Sequence, residues 1–389
     1  MNRTSIASLL TVVLALPALA GPINPPPGPI VSTHKTLTEV EPRIAVNATN
    51  TPGDSFSSFR ITQPGSYFLT GNITGVAGKH GIVIAAEGVT LDLMGYSLLG
   101  VSGSLDGIRL DFDLAKGGAT IVNGTVQGWG GDGIDVSWSD SPNGPGGRIE
   151  GVRSRANGGS GIRVSDGGVV VNCFAGQNGL HGFDPGNNAA FENCIAQGNT
   201  GDGFSSGFGC TFAHCEARAN IGRGYLTTAG SFVNCSATNN GGSGFELSTS
   251  TVNACHSSSN VGVGYALSSC LVQSSSAHAN GAGGIQTSSR SVIRENRTES
   301  GPFGIKATGS DNRLEGNNCV VADRGIDVDA SGNIIVRNTC SGNTVNWDIV
   351  ANNVVGPILD RTSPASLPII GNSAPSSLGT TDPNANFTY

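Results

Sequence analysis

The stretch NCIAQGNTGDGF, residues 193–204, contains a pattern that recurs through the middle of the chain. Altered copies read NCFAGQNGLHGF (172–183), HCEARANIGRGY (214–225), NCSATNNGGSGF (234–245) and ACHSSSNVGVGY (254–265). Their cysteines, Cys173, Cys194, Cys215, Cys235 and Cys255, are spaced by 21, 21, 20 and 20 residues, and Ser275 occupies the next slot. The copies have neither helical periodicity nor the alternation of a simple strand.

Two further columns run with the cysteines. Asparagine follows each cysteine slot by five residues, at Asn157, Asn178, Asn199, Asn220, Asn240, Asn260 and Asn280. Glycine followed by an apolar residue comes nine residues after the slot, from Gly161-Ile162 to Gly325-Ile326. Earlier pairs at Gly81, Gly107 and Gly133 are spaced more widely, by 26 to 28 residues.

A unit of 20–21 residues without a helical run is typical of one coil of a parallel β-helix, whose coils stack at the interstrand spacing of about 4.8 Å. We therefore predict an all-β solenoid of about 12–13 coils, each of 20–28 residues. Equivalent positions should form ladders along the axis. The Phe/Tyr/Ile column is predicted to stack internally, the asparagines to lie at a bend that tolerates left-handed backbone, and the glycines to allow a sharp turn before each strand.

The cysteine column suits a packed ladder of reduced thiols, because a thiol is a small hydrophobic group. Disulfides between neighbouring coils and metal ligation are the alternatives. The remaining cysteines, Cys210, Cys270, Cys319 and Cys340, lie off this column.

Composition restricts the partners. The 389 residues carry a formal net charge of −7, which argues against nucleic acid. Residues 1–20 are typical of a secretory signal peptide cleaved near Ala20, and no later segment is apolar enough to span a membrane. We expect a secreted, periplasmic or cell-surface protein; the sequence does not indicate its oligomeric state.

The repeat, together with PGSYFLTGNITG (64–75) and GIVIAAEGVTLDLMGYSLLG (81–100), resembles the right-handed parallel β-helix repeat proteins of the pectin-lyase-like superfamily. The resemblance covers about residues 60–350, extends to a glycine-rich branch of secreted bacterial proteins, and implies the right-handed coil. The Asn-Thr-Asp, Asp-Asp, Gly-His-Gly and Arg-Ile-Lys motifs of the pectin-cleaving hydrolases do not occur here. No catalytic residue is therefore carried over.

The predicted organisation has four parts. Residues 1–20 are the signal peptide, 21–59 a linker and N-terminal cap, 60–359 the β-helix, and 360–389 a C-terminal tail or strap. An open solenoid end would expose a sheet edge, which is why caps are expected.

Polar residues concentrate on outward positions between about residues 106 and 226. Two places after the glycines the column contains Arg109, Asp135, Arg163 and Asp184, and just before them it contains Asp106, Asp132, Ser160, His181, Asp202 and Arg223. Trp129 and Trp138 occur in the same coils, beside two insertions. Tryptophan faces stack on sugars and carboxylates bind hydroxyl groups, so we predict a polysaccharide-binding surface formed by Trp129, Asp132, Trp138, Asp202 and Arg223.

A catalytic role is the alternative for the same surface. Asp135 and Asp184 lie two coils apart, about 9.6 Å, near the upper end of the range for an inverting glycosidase. In a lyase, Arg163 or His181 would be the base, and Asp132, Asp135 and Asp184 would hold Ca²⁺ against a uronate; otherwise no cofactor is expected. The simplest interpretation is an ordinary ladder of alternating surface charge.

Three functions therefore remain open at the sequence level. The first is a polysaccharide-binding or cell-envelope-associated protein without chemistry. The second is a polysaccharide lyase or glycoside hydrolase that uses coils 106–226. The third is a structural rod or adhesin.

Overall fold

A computed structural model describes residues 41–111, 118–137, 146–205, 207–360 and 380–389. The chain divides into two compact units, Met1–Pro42 and Arg43–Tyr389. Only residues 41 and 42 of the first unit are described, so the account below concerns the second. The predicted signal peptide, most of the predicted linker and Trp138 lie outside the described residues.

Every regular element in the described ranges is a β-strand. The first fourteen are β1 Ile44–Ala45, β2 Ser57–Ile61, β3 Gly65–Phe68, β4 Ile73–Thr74, β5 His80–Ile84, β6 Val89–Asp92, β7 Ser97–Leu99, β8 Ile108–Leu110, β9 Thr120–Gln127, β10 Ile134–Val136, β11 Arg148–Arg155, β12 Ile162–Val164, β13 Val169–Val171 and β14 Phe174–Gly176. The next are β15 Phe183–Pro185, β16 Ala190–Glu192, β17 Ile195–Gln197, β18 Thr211–Ala213, β19 Glu216–Arg218, β20 Tyr225–Thr228, β21 Ser231–Val233, β22 Ser236–Thr238, β23 Phe245–Ser248, β24 Thr251–Asn253, β25 His256–Ser258, β26 Tyr265–Ser268, β27 Leu271–Gln273 and β28 Ser276–His278. The last are β29 Ile285–Thr287, β30 Val292–Arg294, β31 Arg297–Glu299, β32 Phe303–Ala307, β33 Arg313–Glu315, β34 Asn318–Val320, β35 Arg324–Val328, β36 Ile334–Val336, β37 Thr339–Ser341, β38 Val345–Ile349, β39 Val354–Val355, β40 Ile358–Asp360 and β41 Asn386–Thr388.

These strands stack as the parallel solenoid that the repeat predicts. The first sheet face, called face A here, contains β2, β5, β8, β10, β12 and β15, then β20, β23, β26, β29, β32, β35 and β38. Phe204 joins its two halves through isolated parallel bridges to Phe183 and Tyr225. The other two faces are bonded into one 28-stranded sheet, because β9 and β11 run continuously through the bend between them.

The solenoid has about 14 turns rather than 12–13. The additional turns are those of β2 and β38, where Phe59 pairs with Ile82 and Trp347 with Ile326. Neither turn has the Gly-apolar pair that marks the others, so counting that pair missed them. At the C-terminus, β41 pairs with both β37 and β40, which returns the last residues of the chain to the stack.

The interior contains the predicted aromatic stack and a second one beside it. Phe183, Phe204, Tyr225, Phe245 and Tyr265 stack in sequence with ring centroids 4.7–4.9 Å apart. Phe191, Phe212 and Phe232 form the second column and meet the first edge-on at 5.5–5.7 Å. Each buried ring contributes about 1.5–3 kcal/mol through removal from water, and each well-oriented pair adds about 0.5–1.5 kcal/mol.

The asparagine ladder forms at the predicted bend, and the left-handed residue of that bend is a neighbour of the asparagine. Each side chain is buried and bonds the next one along the axis; Asn199 Nδ2, for example, donates to Asn220 Oδ1 at 2.9 Å. The left-handed residue is the one before the asparagine, such as Ala219 with φ of 53°. The asparagine therefore provides side-chain hydrogen bonds, and its neighbour makes the turn.

The glycine before most face A strands lies at a bend and is also needed for close packing. A Cβ on Gly203 would lie 2.8 Å from Gly224 O and 2.9 Å from Ala217 Cβ. Neither Gly203 nor Gly224 has a positive φ. The predicted bend is therefore present, and the missing side chain also lets neighbouring turns approach closely.

All nine cysteines are buried free thiols, as a packed ladder requires. The residue type in this column changes along the axis, but the same backbone-to-side-chain hydrogen bond is kept. The N–H of Cys235 donates to Cys255 Sγ, the N–H of Cys255 to Ser275 Oγ, and the N–H of Ser275 to Asn296 Oδ1. Cys319 and Cys340, which lie off the column, are opposite each other on the paired strands β34 and β37. Cys270 occupies another bend, where it accepts from Ser250 N.

Candidate functional site

The predicted outward residues lie on face A in register. Arg109, Asp135, Arg163 and Asp184 occupy equivalent positions on β8, β10, β12 and β15. The column therefore alternates in charge from one turn to the next, at a strand spacing of about 4.8 Å.

The column just before the glycines has a structural task. Four of its side chains accept the backbone N–H of the next turn, namely Asp106 from Asp132 at 2.8 Å, Asp132 from Ser160 at 2.6 Å, His181 from Asp202 at 3.0 Å and Asp202 from Arg223 at 2.7 Å. These carboxylates and the imidazole continue the backbone hydrogen bonding through the bend. Their presence is explained without a ligand.

Arg163 is the centre of the predicted cluster. Its NH1 lies 3.0 Å from Asp132 Oδ2 and its Nε 2.9 Å from Asp184 Oδ2. Burial works to lower the pKa of Arg163, but the charges of Asp132 and Asp184 outweigh it and raise that pKa. The paired guanidinium is held in its protonated form, which does not favour a role as a base, and that role of Arg163 stays a prediction.

Asp132 is the group in this cluster that titrates near neutrality. Burial raises its pKa to about 6, against the charge of Arg163 and the amide of Ser160, which lower it. Asp135 and Asp106 add to the increase. Asp132 thus carries a proton for part of the time near pH 6.

The predicted carboxylate pair and the imidazole are poorly placed for acid–base catalysis. Asp135 is 5% exposed, and its Oδ1 accepts from both N and Oγ of Ser137. His181 accepts at Nδ1 from the backbone of Asp202, which puts its proton on Nε2 in the neutral tautomer. In that state it donates to a substrate rather than abstracting a proton.

Trp129 is a correction to the predicted sugar-binding surface. Its side chain is 1% exposed, and the ring packs where Gly75, Gly81 and Gly107 leave space. Its Nε1 donates to Leu98 O at 3.3 Å, and its backbone N donates to Asn157 Oδ1. Trp129 therefore occupies the asparagine slot one turn before Asn157 and cannot stack on a sugar.

Two solvent-open clefts lie on face A. One of about 180 Å³ is lined by Arg163, Asp184 and Ser137 among others. The larger, about 380 Å³, lies at the start of the predicted coils and is lined by Phe56, Arg60, His80, Arg109 and Asp111 among others. The sequence analysis missed Arg60 and His80. The register would have found His80, which precedes Gly81 as Asp106 precedes Gly107, whereas Arg60 lies on β2, whose turn lacks that glycine.

The other predicted binding residues, Asp202 and Arg223, lie beyond both clefts. Arg223 NH1 is 3.4 Å from Glu246 Oε1, and the Asp202 carboxylate accepts from Arg223 N. Among the described residues, no three potential ligands come together around one position for a metal ion. Because Arg163 bridges Asp132 and Asp184, calcium at Asp132, Asp135 and Asp184 would require it to move and stays a prediction.

The stacked parallel faces and the internal ladders define a parallel β-helix protein. Residues 107–261 match the family model described as "Right handed beta helix region", which gives the coil its hand and confirms the right-handed β-helix part of the resemblance noted from the repeat. A comparison with curated proteins finds no significant match. In the part of the chain that is described, no helix has the length and apolar character to cross a membrane.

Solved structures with a similar fold include two that differ in their described roles. The A-module of the mannuronan C-5 epimerase AlgE6 of Azotobacter vinelandii shares 15% identity at a TM-score of 0.47, with 75% of this chain and 90% of that one covered. PfbA, a surface adhesin of Streptococcus pneumoniae, shares 8% identity at a TM-score of 0.42, with 73% and 82% covered. These likenesses are confined to the solenoid and assign no activity to this chain.

Proposed function

We propose that the chain binds a polysaccharide along face A, between the larger and the smaller cleft, without reacting with it. The observation that carries the proposal is the coincidence of two open clefts on one sheet face, both lined by arginine–carboxylate pairs. Paired donors and acceptors match the hydroxyl groups of a sugar. The clefts involve turns near both ends of a run of about six strands, which suits a long ligand.

Binding is favoured over catalysis by the state of the residues that would have to react. Arg163 stays protonated, Asp135 is engaged with Ser137, and His181 presents a proton rather than a lone pair. We also propose that the protein is exported, as residues 1–20 predict, and that its partner is a polysaccharide or a cell-envelope surface. A structural rod is the outcome if no ligand is found.

The test is affinity electrophoresis and calorimetry of the purified protein against neutral and acidic polysaccharides, with parallel assays for new reducing ends and unsaturated uronides. Asp184→Asn removes the partner of Arg163 Nε at the smaller cleft and should weaken binding about tenfold, or ~1.4 kcal/mol. Gln286→Ala is the matched control, because Gln286 occupies the same outward column on β29. No retention on any polysaccharide, or equal behaviour of the two variants, would contradict the proposal; product formation would replace it with an enzymatic one.

A further inference from the structure

The larger cleft has an aromatic side chain at its rim. Phe56 lines it and is 67% exposed, one of the most exposed large apolar side chains in the described residues. A single exposed aromatic residue means little by itself, because proteins leave much apolar surface in water. What distinguishes Phe56 is that it borders a cleft whose other walls are mostly polar.

The backbone that carries Phe56 is fixed. Asp54 Oδ1 accepts from the N–H groups of Phe56 and Ser57 and from Ser57 Oγ, each at 2.8 Å. The carbonyl of Phe56 accepts from His80 N at 2.8 Å, and Lys79 Nζ donates to Asp54 O at 2.6 Å. The ring is thus presented from a hydrogen-bonded turn, so little backbone ordering is needed when a ligand binds.

The polar wall consists of arginine–carboxylate pairs. Arg60 bonds both Asp54 and Asp111, and Arg109 NH1 lies 3.1 Å from Asp106 Oδ2. A guanidinium has five N–H donors, so the two pairs of Arg60 leave others to donate. Neighbouring donors and acceptors of this kind suit hydroxyl groups, each of which both donates and accepts.

Both guanidinium groups of the cleft are already paired with carboxylates, Arg60 with Asp54 and Asp111 and Arg109 with Asp106. A uronate would compete with carboxylates for guanidinium groups that are already paired, whereas a neutral sugar would not.

Resting on the polysaccharide-binding function proposed above, we propose that this cleft is a subsite for a neutral, hydroxyl-rich sugar unit that stacks on Phe56. The C–H face of the sugar ring packs on the phenyl ring. Its hydroxyl groups bond the Arg60–Asp111 pair and the Arg109 and His80 side chains. The site sets the ligand class: uncharged hexose or pentose units rather than uronic acids.

The test is calorimetric titration of the full chain with length-matched oligosaccharides of neutral sugars and of uronic acids. Phe56→Ala should weaken binding of the neutral oligosaccharide about tenfold, and Phe56→Trp should retain it. Phe208→Ala is the control, because Phe208 is 57% exposed but lies outside this cleft, and it should stay within about twofold. Thermal melts should match for all three, since neither ring is part of the core.

The outcomes separate this inference from the general function. Binding that depends on Asp184 but not on Phe56 would overturn the subsite and leave the proposed function intact. Preference for the uronic acids would overturn the ligand class. No binding by the unmutated protein would overturn both.

Discussion

Replacement of Asn220 by alanine tests the asparagine ladder at its centre. Asn220 Oδ1 accepts from N and Nδ2 of Asn199, at 3.1 and 2.9 Å, and its Nδ2 donates to Ala196 O and Asn240 Oδ1, at 3.2 and 2.9 Å. The alanine variant leaves the buried backbone N–H of Asn199 without that acceptor, which should lower the free energy of unfolding by about 1–3 kcal/mol. Loss of the other three bonds, about 0.5–1.5 kcal/mol each, brings the expected total to about 2.5–7.5 kcal/mol.

The assay is urea-induced unfolding followed by far-UV circular dichroism. Midpoints should be compared, because a solenoid whose turns contact only their neighbours need not unfold in one step. Asn253→Ala is the control: its side chain is half-buried on an outward strand position, accepts from Gln273 at 3.4 Å, and should cost no more than about 0.5 kcal/mol. Equal midpoints for the two variants would refute the idea that the ladder stabilises the solenoid.

Three further predictions concern the interior and pH. The ring of Phe212 is stacked between those of Phe191 and Phe232, so Phe212→Ala should lower the free energy of unfolding by about 3–5 kcal/mol in the same urea assay. An unchanged midpoint would mean that the aromatic column is loosely packed. The nine thiols should be slow to react with a thiol reagent in the native protein and all react in denaturant; a fast native reaction would contradict their burial. The pKa of Asp132 is about 6 in the folded protein, above its ordinary value of 3.8. At pH values between these two the native state therefore binds more protons than the unfolded state. The contribution of Asp132 to stability should accordingly fall as the pH rises from about 4 to 6. The variant Asp132→Asn should lack that fall, and parallel pH profiles for the two proteins would exclude the raised pKa.

The ladders could be predicted from sequence because each turn contacts the same positions of the next. A spacing of 20–21 residues places Asn199 against Asn220 and Phe204 against Tyr225 whatever the details of the bends. The second aromatic column, with Phe191 and Phe212, follows the same spacing but stands outside the quoted motif, and so it was missed.

The candidate site was harder to predict because the sequence does not show which side of a bend a residue occupies. Trp129 precedes Gly133 by four residues, as Asn157 precedes Gly161, and that offset indicates an interior slot. Its residue type suggested a sugar platform instead, while Phe56 lies in a turn that carries no repeat. The charge pairs around Arg163 depend on side-chain geometry, which an alignment of the repeats does not give.

Because equivalent hydrogen bonds recur at the bends of successive turns, the number of turns can change independently of the surface that carries the clefts. Excision of residues 221–240 would bring Asn220 against Asn260, Cys215 against Cys255 and Phe204 against Phe245, so these three ladders would close again on a matching partner. In the second aromatic column Phe212 would meet Val252. The clefts lie entirely before that segment and would keep their walls. The distance over which the molecule reaches can therefore change by whole turns, through duplication or loss of one unit, while the surface that would recognise a sugar stays as it is.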